Sequence, residues 1–380
     1  MKKICLVASA EIVVHFFLIE PLRVLSREYD VTLVVNTDNC HFLDDYGLSD
    51  VRVIPVAIER EIKPLADLRA LFQLISLFRA EPFDVVHSIT PKAGLLAMLA
   101  AKLTSHSVRI HNLSGQVWVT RDGLSRLLLK NIDRMTMTLA THLLSDSQSQ
   151  IDFLVAGKLV GRSKCRVLGD GSVAGVNIDR FKPDLQMKYS MRQKMSTPES
   201  VKVVLFLGRL KRDKGVLDLA RAFALLDDPN ETVWLWIVGP DEDGLGEEIE
   251  AACGSRSNRL RIKGYTRNSQ QYFAAADLFC LPSYRESFGV AILEAAACGV
   301  PTVGSRIYGI TDAVKENETG VLFNVGQPQS LSDAMQQLLD DDLLREQLGK
   351  RAMDRVHRLF SSDRVTHLWV EFYQMLLKRK

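Results

Sequence analysis

An α/β protein of two doubly wound domains is the fold class this chain predicts, and three observations carry it. At 380 residues it is too long for one ordinary core. Short apolar runs alternate with longer amphipathic ones, the pattern of parallel sheets covered by helices. A polar stretch from Val176 through Ser200 interrupts that alternation and reads as a linker. Strands are expected in the first half at Lys3–Ser9, Val31–Asn36, Val51–Ile58, Asp84–Ile89, Val108–Leu113, His142–Asp146 and Arg166–Asp170. The second half repeats the scheme at Val203–Gly208, Val233–Val238, Leu260–Gly264, Leu278–Leu281, Pro301–Gly304 and Val321–Phe323. Domain limits of residues 1–178 and 179–360 follow, with a helix over 361–380. That helix carries Val365, Leu368, Trp369, Phe372, Met375 and Leu376 at helical spacing, and so wide a stripe needs a partner surface. It is expected to return to the first domain. Ligands are expected in a cleft at the carboxyl ends of the strands.

Composition excludes several classes. An apolar share of 47% and a charged share of 25% are those of a soluble globular protein. A net charge of +2 argues against a general nucleic-acid binder. The opening Met1-Lys2-Lys3 precedes an apolar run that stops at Ser9-Ala10-Glu11, better read as a first strand than as a leader. Cys5, Cys40, Cys165, Cys253, Cys280 and Cys298 form no Cys-x-x-Cys pair, so a zinc site or disulfide framework is not expected and a reducing cytoplasm fits.

Two segments concentrate the chemistry. Gly208-Arg209 ends an apolar strand, and Lys214-Gly215 follows, which places two cations five residues apart as a seat for a diphosphate. Arg285 to Glu294 puts Glu286 and Glu294 eight residues apart across Ser287-Phe288-Gly289, a turn running into a small-residue helix, Ala291 to Cys298. Glycine at such a turn frees backbone N–H groups to face a ligand, and two carboxylates can read sugar hydroxyls. Each feature has a plainer alternative. Arg209 and Lys214 sit beside Lys211 and Arg212, and a basic run at a strand end is often a solvated loop. The plainer reading of Glu294 is an exposed residue of an Ala-rich helix, but its flanks Ile292, Leu293, Ala295, Ala296 and Ala297 read as buried, which favours a partner for the carboxylate.

With Val238-Gly239, Lys263-Gly264-Tyr265 and Leu281-Pro282-Ser283 in order between those segments, the chain resembles the retaining glycosyltransferases of family 4. The resemblance spans essentially the whole chain and is strongest from Val203 to Phe323. His87-Ser88-Ile89-Thr90-Pro91-Lys92-Ala93-Gly94 and His111-Asn112-Leu113-Ser114-Gly115-Gln116 resemble the subset that builds bacterial O-antigen and capsule. The resemblance implies the GT-B architecture, two Rossmann-like domains facing across a cleft. It also implies transfer of a hexose or N-acetylhexosamine from a nucleotide-diphosphate donor, of UDP type by family frequency, to a polyprenyl-diphosphate-linked saccharide. No metal or other cofactor is implied, and the enzyme would sit peripherally on the inner face of the cytoplasmic membrane.

Roles carry over residue by residue. Arg209 and Lys214 would bind the donor diphosphate and stabilise its growing charge. Glu286 would contact the transferred sugar, Glu294 the ribose, and the backbone of Ser287, Phe288 and Gly289 the sugar and phosphates, beside Gly208. Tyr265 and Thr266 would hold the base through main-chain groups. His111 would face the donor sugar, and Ser9 and Ala10 would approach the phosphates. Lys92 and Gln116 would serve the acceptor. A lone histidine at a strand end is otherwise a structural hydrogen-bonder, and Lys92 an ordinary helix-start lysine. Ser9-Ala10-Glu11 departs from the Gly-Gly usual in the family, and its side chains narrow backbone access there. Asp241-Glu242-Asp243 formally reads Asp-x-Asp but follows a strand as a polar turn, so no metal is expected. No carboxylate nucleophile can be nominated in the first half, so front-face substitution is expected rather than double displacement. A nucleotide-sugar epimerase of the same fold, a pyridoxal-dependent phosphorylase and a non-catalytic nucleotide-sugar sensor are the competing readings. Finally, Leu65–Arg79, opened by Arg60 to Pro64, and Arg121 to Arg134 are basic-apolar stretches; Leu65–Arg79 is expected to pack on the sheet, Arg121 to Arg134 to face a membrane.

Overall fold

The computed structural model describes residues 1–59 and 61–378. Arg60, with which the first basic-apolar stretch opens, and residues 379 and 380, at the end of the expected terminal helix, lie outside them. Among the described residues the chain forms two compact units. One comprises Met1–Gly175 and the terminal helix Ser362–Lys378; the other is Val176–Ser361.

The first unit contains β1 (Lys3–Val7), β2 (Asp30–Val35), β3 (Arg52–Pro55), β4 (Val85–Ser88), β5 (Arg109–Leu113), β6 (His142–Ser145) and β7 (Cys165–Val167). They form one all-parallel sheet in the order β3-β2-β1-β4-β5-β6-β7. The order reverses between β1 and β4, which makes their carboxyl ends the natural ligand crevice of this unit. Central strands are buried on both faces, with Ile4, Leu6, Leu33, Val85 and Ile110 in one core and Cys5, Val7, Val34 and Val86 in the other, which is why β1 reads as an apolar run. The terminal helix finds its partner here: Val365, Trp369, Phe372, Tyr373 and Leu376 are buried in the same core cluster as Ile4, Leu6 and Leu22. Its polar anchors are internal too. The indole of Trp369 donates to the carbonyl of Val173 at 3.0 Å, and the Tyr373 hydroxyl lies 2.6 Å from His87 Nδ1. His87 Nε2 faces the side-chain Oδ1 of Asn112 at 3.4 Å, so the ring carries its proton on Nε2 and accepts from Tyr373 at Nδ1. Burial pushes the His87 imidazole down to about 3, and it is neutral at physiological pH.

The second unit contains β8 (Lys202–Leu207), β9 (Val233–Val238), β10 (Leu260–Lys263), β11 (Leu278–Leu281), β12 (Thr302–Ser305) and β13 (Gly320–Phe323), again all parallel, in the order β10-β9-β8-β11-β12-β13. Its reversal point lies between β8 and β11. Trp236, Phe206, Phe223, Phe273, Phe279, Phe288 and Phe360 fill its core. Every expected strand is present, with ends displaced by three residues at most.

The expected linker is corrected. Part of it, Leu185–Lys194, is a helix of the second unit, capped by the Asp184 carboxylate, which accepts from the Met187 amide at 2.8 Å. Its inward residues are Met191 and Arg192, the latter only 2% exposed. The Arg192 guanidinium reaches the carbonyls of Ala275, Glu199 and Val201 and the carboxylate of Asp277. A helix whose buried face is built on methionine and a fully bonded arginine carries almost no hydrophobic periodicity, and this hid it.

Candidate functional site

At the reversal point of the second unit, the loops that follow β8 and β11 meet. Lys214 closes a single 3₁₀ turn, Arg212–Lys214, and Gly215 then takes a left-handed φ of 68° to start the helix Val216–Leu225. From the β11 side, Pro282-Ser283-Tyr284-Arg285-Glu286 leads to Gly289, whose φ of 88° opens the helix Val290–Ala297. The two loops are laced together. The Tyr284 amide donates to the carbonyl of Asp213 at 2.9 Å, Arg285 pairs with the Asp213 carboxylate at 3.0 Å, and the Tyr284 hydroxyl donates to Asp218 at 2.5 Å. Within this frame Lys214 Nζ lies 2.5 Å from Glu286 Oε1, which also accepts from the Ser283 hydroxyl at 3.0 Å. Both partners are 16% exposed, so the pair is sheltered but reachable.

Gly215 shows why no side chain is possible at its position. A Cβ there would meet the carbonyl oxygen of Pro282 at 2.0 Å. Gly215→Ala combines that clash with a left-handed backbone and is expected to cost on the order of 3 kcal/mol, read as a lower unfolding midpoint in denaturant.

Phe288 turns its ring into the core, 1% exposed and packed against Phe360, so it offers only its backbone at the Ser287-Phe288-Gly289 turn. Glu294 projects from the next helix, partly exposed, among the buried Ile292, Leu293, Ala295 and Ala296. Desolvation raises its carboxyl to about 7, opposed in part by the charge of Arg180. Arg180 in turn holds the loop after β10: its guanidinium donates to the carbonyl of Arg267 at 2.5 Å and to the Gln270 side chain at 3.0 Å. Tyr265, on that loop, is 53% exposed, and the Thr266 hydroxyl accepts from the Asn268 amide at 3.0 Å. Arg209 has a different partner from Lys214: it pairs with Glu242 at 3.0 Å.

The expected first-half residues are placed in the first unit. His111 is buried at the middle of β5, not at its end as expected, with Nδ1 2.8 Å from the Ser88 hydroxyl and its ring laid against the helix backbone at Gly94. Burial lowers it to about 4, so it is neutral at pH 7. Together with Ser114, Gly115 and Gln116 it lines a small pocket that also includes Pro91 and Asp133. The Gln116 amide donates to the Ser114 carbonyl at 2.9 Å and its oxygen accepts from Gln150 at 3.2 Å. Lys92 is engaged with the Asp67 carboxylate at 2.5 Å and the Glu61 carbonyl. Ser9 is buried, and Ala10 is extended with a φ of −164° ahead of the helix Glu11–Phe17.

Two family models match: "Glycosyl transferase 4-like domain" over residues 18–171 and "Glycosyl transferases group 1" over residues 188–355. A D-inositol 3-phosphate glycosyltransferase of Corynebacterium jeikeium is 30% identical over 71% of this chain and 67% of its own length. The chain belongs to the group 1 glycosyl transferases. This transferase is also 28% identical to the capsular polysaccharide biosynthesis glycosyltransferase CapM of Staphylococcus aureus, over 88% of each chain. It is 26% identical to an Escherichia coli UDP-Gal:alpha-D-GlcNAc-diphosphoundecaprenol alpha-1,3-galactosyltransferase, over 91% of this chain and 90% of that one. The crystal structure of Anabaena HepE in complex with UDP and glucose superposes with a TM-score of 0.80 at 19% identity, covering 99% of this chain and 100% of that chain. The fold is therefore GT-B, with two Rossmann-like parallel-sheet domains.

Sequence reasoning passed over three residues of the transferase's second-unit site. Ser283 shares Glu286 with Lys214, Arg180 steadies the loop after β10, and Glu242 pairs with Arg209. Only Glu242 had a legible signal, an acidic triplet matching in charge the basic Arg209-Leu210-Lys211-Arg212.

Proposed function

We propose that this glycosyltransferase moves a hexose or N-acetylhexosamine from a UDP-sugar to a polyprenyl-diphosphate-linked saccharide in bacterial surface polysaccharide synthesis, with retention at the anomeric carbon. The observation that carries the proposal is the Lys214–Glu286 pair at the reversal point of the second sheet, a cation for phosphate beside a carboxylate for sugar hydroxyls. The UDP of the HepE complex, and the diphosphoundecaprenol and capsule in the names of the other two relatives, support the donor and acceptor classes.

In the proposed reaction the bond from the anomeric carbon to the donor's β-phosphate oxygen breaks as the acceptor oxygen bonds to the same face. The acceptor's proton passes to the departing phosphate oxygen. Lys214 and Arg209 supply the countercharge that grows in importance as the diphosphate leaves, which makes them transition-state stabilisers. Glu286 orients the sugar and Glu294 the ribose. A metal clamp on the Asp-x-Asp triplet fits poorly, because its oxygens are already used. Asp241 accepts from the amides of Leu245 and Gly246, and Asp243 from Lys211 and the Arg212 amide. Neutral His111 can serve only as an uncharged hydrogen-bonding group.

The test is release of UDP from a panel of UDP-sugars, with and without an undecaprenyl-diphosphate-linked saccharide, and anomeric analysis of the product. Release that needs the lipid-linked acceptor and gives the donor's anomeric configuration is expected. Inverted product refutes the retaining course, and conversion of donor without acceptor favours an epimerase.

Membrane contact belongs to the same proposal. No described helix is long and apolar enough to cross a bilayer. The helix Gly123–Leu139 exposes Leu124, Leu127 and Leu128 beside Arg121 and Arg126. The helix Pro64–Ala80 buries Ala70, Leu74, Ile75 and Phe78 on the sheet yet leaves Leu65, Leu68 and Phe72 uncovered. Apolar side chains rimmed by arginines suit an anionic lipid surface. Sedimentation with phosphatidylglycerol-containing vesicles is expected to pellet the protein, and Leu124→Ser with Leu128→Ser to reduce pelleting several-fold; no pelleting of the unsubstituted protein removes the membrane from the proposal.

A further inference from the structure

The loops after β8 and β9 are zipped edge to edge. Leu210 bridges Asp241 in parallel register, its amide donating to the Pro240 carbonyl at 2.9 Å, and the Glu242 amide returns to the Leu210 carbonyl at 3.3 Å. That register sets two carboxylates against the basic loop. Glu242 takes Arg209 at 3.0 Å and Lys211 at 3.6 Å; Asp243 takes Lys211 at 2.9 Å and the Arg212 amide at 3.0 Å. The two cations assigned to the donor diphosphate are therefore held differently. Lys214 and Glu286 are each 16% exposed, whereas Arg209 is 35% and Glu242 29% exposed. An exposed ion pair is worth only about 0–1 kcal/mol, so the Arg209 pair yields readily to a multiply charged competitor. Lys211 retains Asp243 when Glu242 gives way, and the loop stays zipped by its backbone.

We propose that Glu242 is a positioning residue for the donor site: it holds the Arg209 guanidinium and competes for it with the diphosphate of a nucleotide. The inference rests on the donor-site reading above and extends it to a residue that itself touches no donor atom. Glu242 keeps Arg209 extended on a defined partner, and it limits how tightly the product diphosphate is retained.

Calorimetric titration of the full chain with UDP tests this, using the unsubstituted protein, E242Q, R209A, the double variant R209A with E242Q, and K214A. E242Q is expected to bind UDP about two- to fivefold more tightly at low salt, the range an exposed pair allows. The gain is expected to vanish in the R209A background, because it acts through that guanidinium. Unchanged or weaker UDP binding by a folded E242Q, or a gain that persists without Arg209, overturns the proposal. Loss of UDP binding in K214A alongside that result leaves the donor site itself standing. If the unsubstituted protein binds no UDP, or K214A binds it unchanged, the donor-site reading fails and the role of Glu242 with it.

Discussion

Lys214→Ala is expected to lower kcat/KM by roughly 10²- to 10³-fold, the loss typical of removing one preorganised electrostatic group from a developing oxyanion. Three features of its setting make the effect large. Lys214 is presented by a 3₁₀ turn closed by Gly215, whose approach to Pro282 admits no side chain. Its side chain is only 16% exposed, so its charge is less screened than a surface lysine's. Removing it also strands Glu286, which keeps Ser283 as a donor but loses its cation, and an uncompensated sheltered carboxylate repels the diphosphate that must bind beside it. Steady-state kinetics on the variant is expected to show the loss in kcat as well as KM, because the charge on the leaving diphosphate is greatest in the transition state. A change confined to KM would mean that Lys214 only binds. Lys214→Arg is expected to recover little, since the planar guanidinium cannot occupy the position of a compact ammonium.

Glu294→Gln is expected to move stability and nucleotide binding in opposite directions. The carboxyl is raised from an ordinary 4.5 to about 7 because burial among Ile292, Leu293 and the alanines penalises its charge. Below pH 4.5 folded and unfolded forms are both protonated and the group costs nothing. As pH rises from 4.5 through 7, the unfolded chain releases its proton first, so wild-type stability falls across that window. Glutamine imitates the neutral acid and avoids the penalty. At pH 8 the variant is therefore expected to be more stable by on the order of 2 kcal/mol, a rise of about 4–8 °C in midpoint, with little difference at pH 4.5. An equal shift at both pH values would show that the carboxyl is not desolvated as described. The same change removes a charged acceptor for ribose hydroxyls, and UDP affinity is expected to drop about 10- to 100-fold. In the wild type, UDP affinity is expected to increase as pH passes through about 7, where the carboxylate forms. Such a residue is retained for the ligand and tolerated by the fold.

The strands and their parallel arrangement were legible because Lys3–Val7, Lys202–Leu207 and Leu278–Leu281 are buried on both faces and so, beyond the opening lysines of the first two, appear as apolar runs. The helix Leu185–Lys194 was not, because its inward face rests on Arg192 and the backbone carbonyls it reaches, partners distant in sequence. Likewise, the segments carrying Lys214 and Glu286 were expected to share one pocket, with the cation on phosphate and the carboxylate on sugar, but not to pair with each other. That they touch follows from the strand order, which sets β11 next to β8 although β9 and β10 intervene in the chain.

Local chemistry thus determined which residue types stand at the carboxyl ends of the strands: glycines that admit left-handed turns, cations after β8, carboxylates around the turn after β11. Tertiary packing decided their partners. Glu242 pairs with Arg209, Arg180 holds the loop after β10, and burial in a small-residue helix moves the Glu294 carboxyl to about 7. Hydrophobic periodicity is a property of neighbouring residues and is written along the chain. Electrostatic pairing and desolvation depend on distances between residues tens of positions apart, and these exist only once the sheet has assembled.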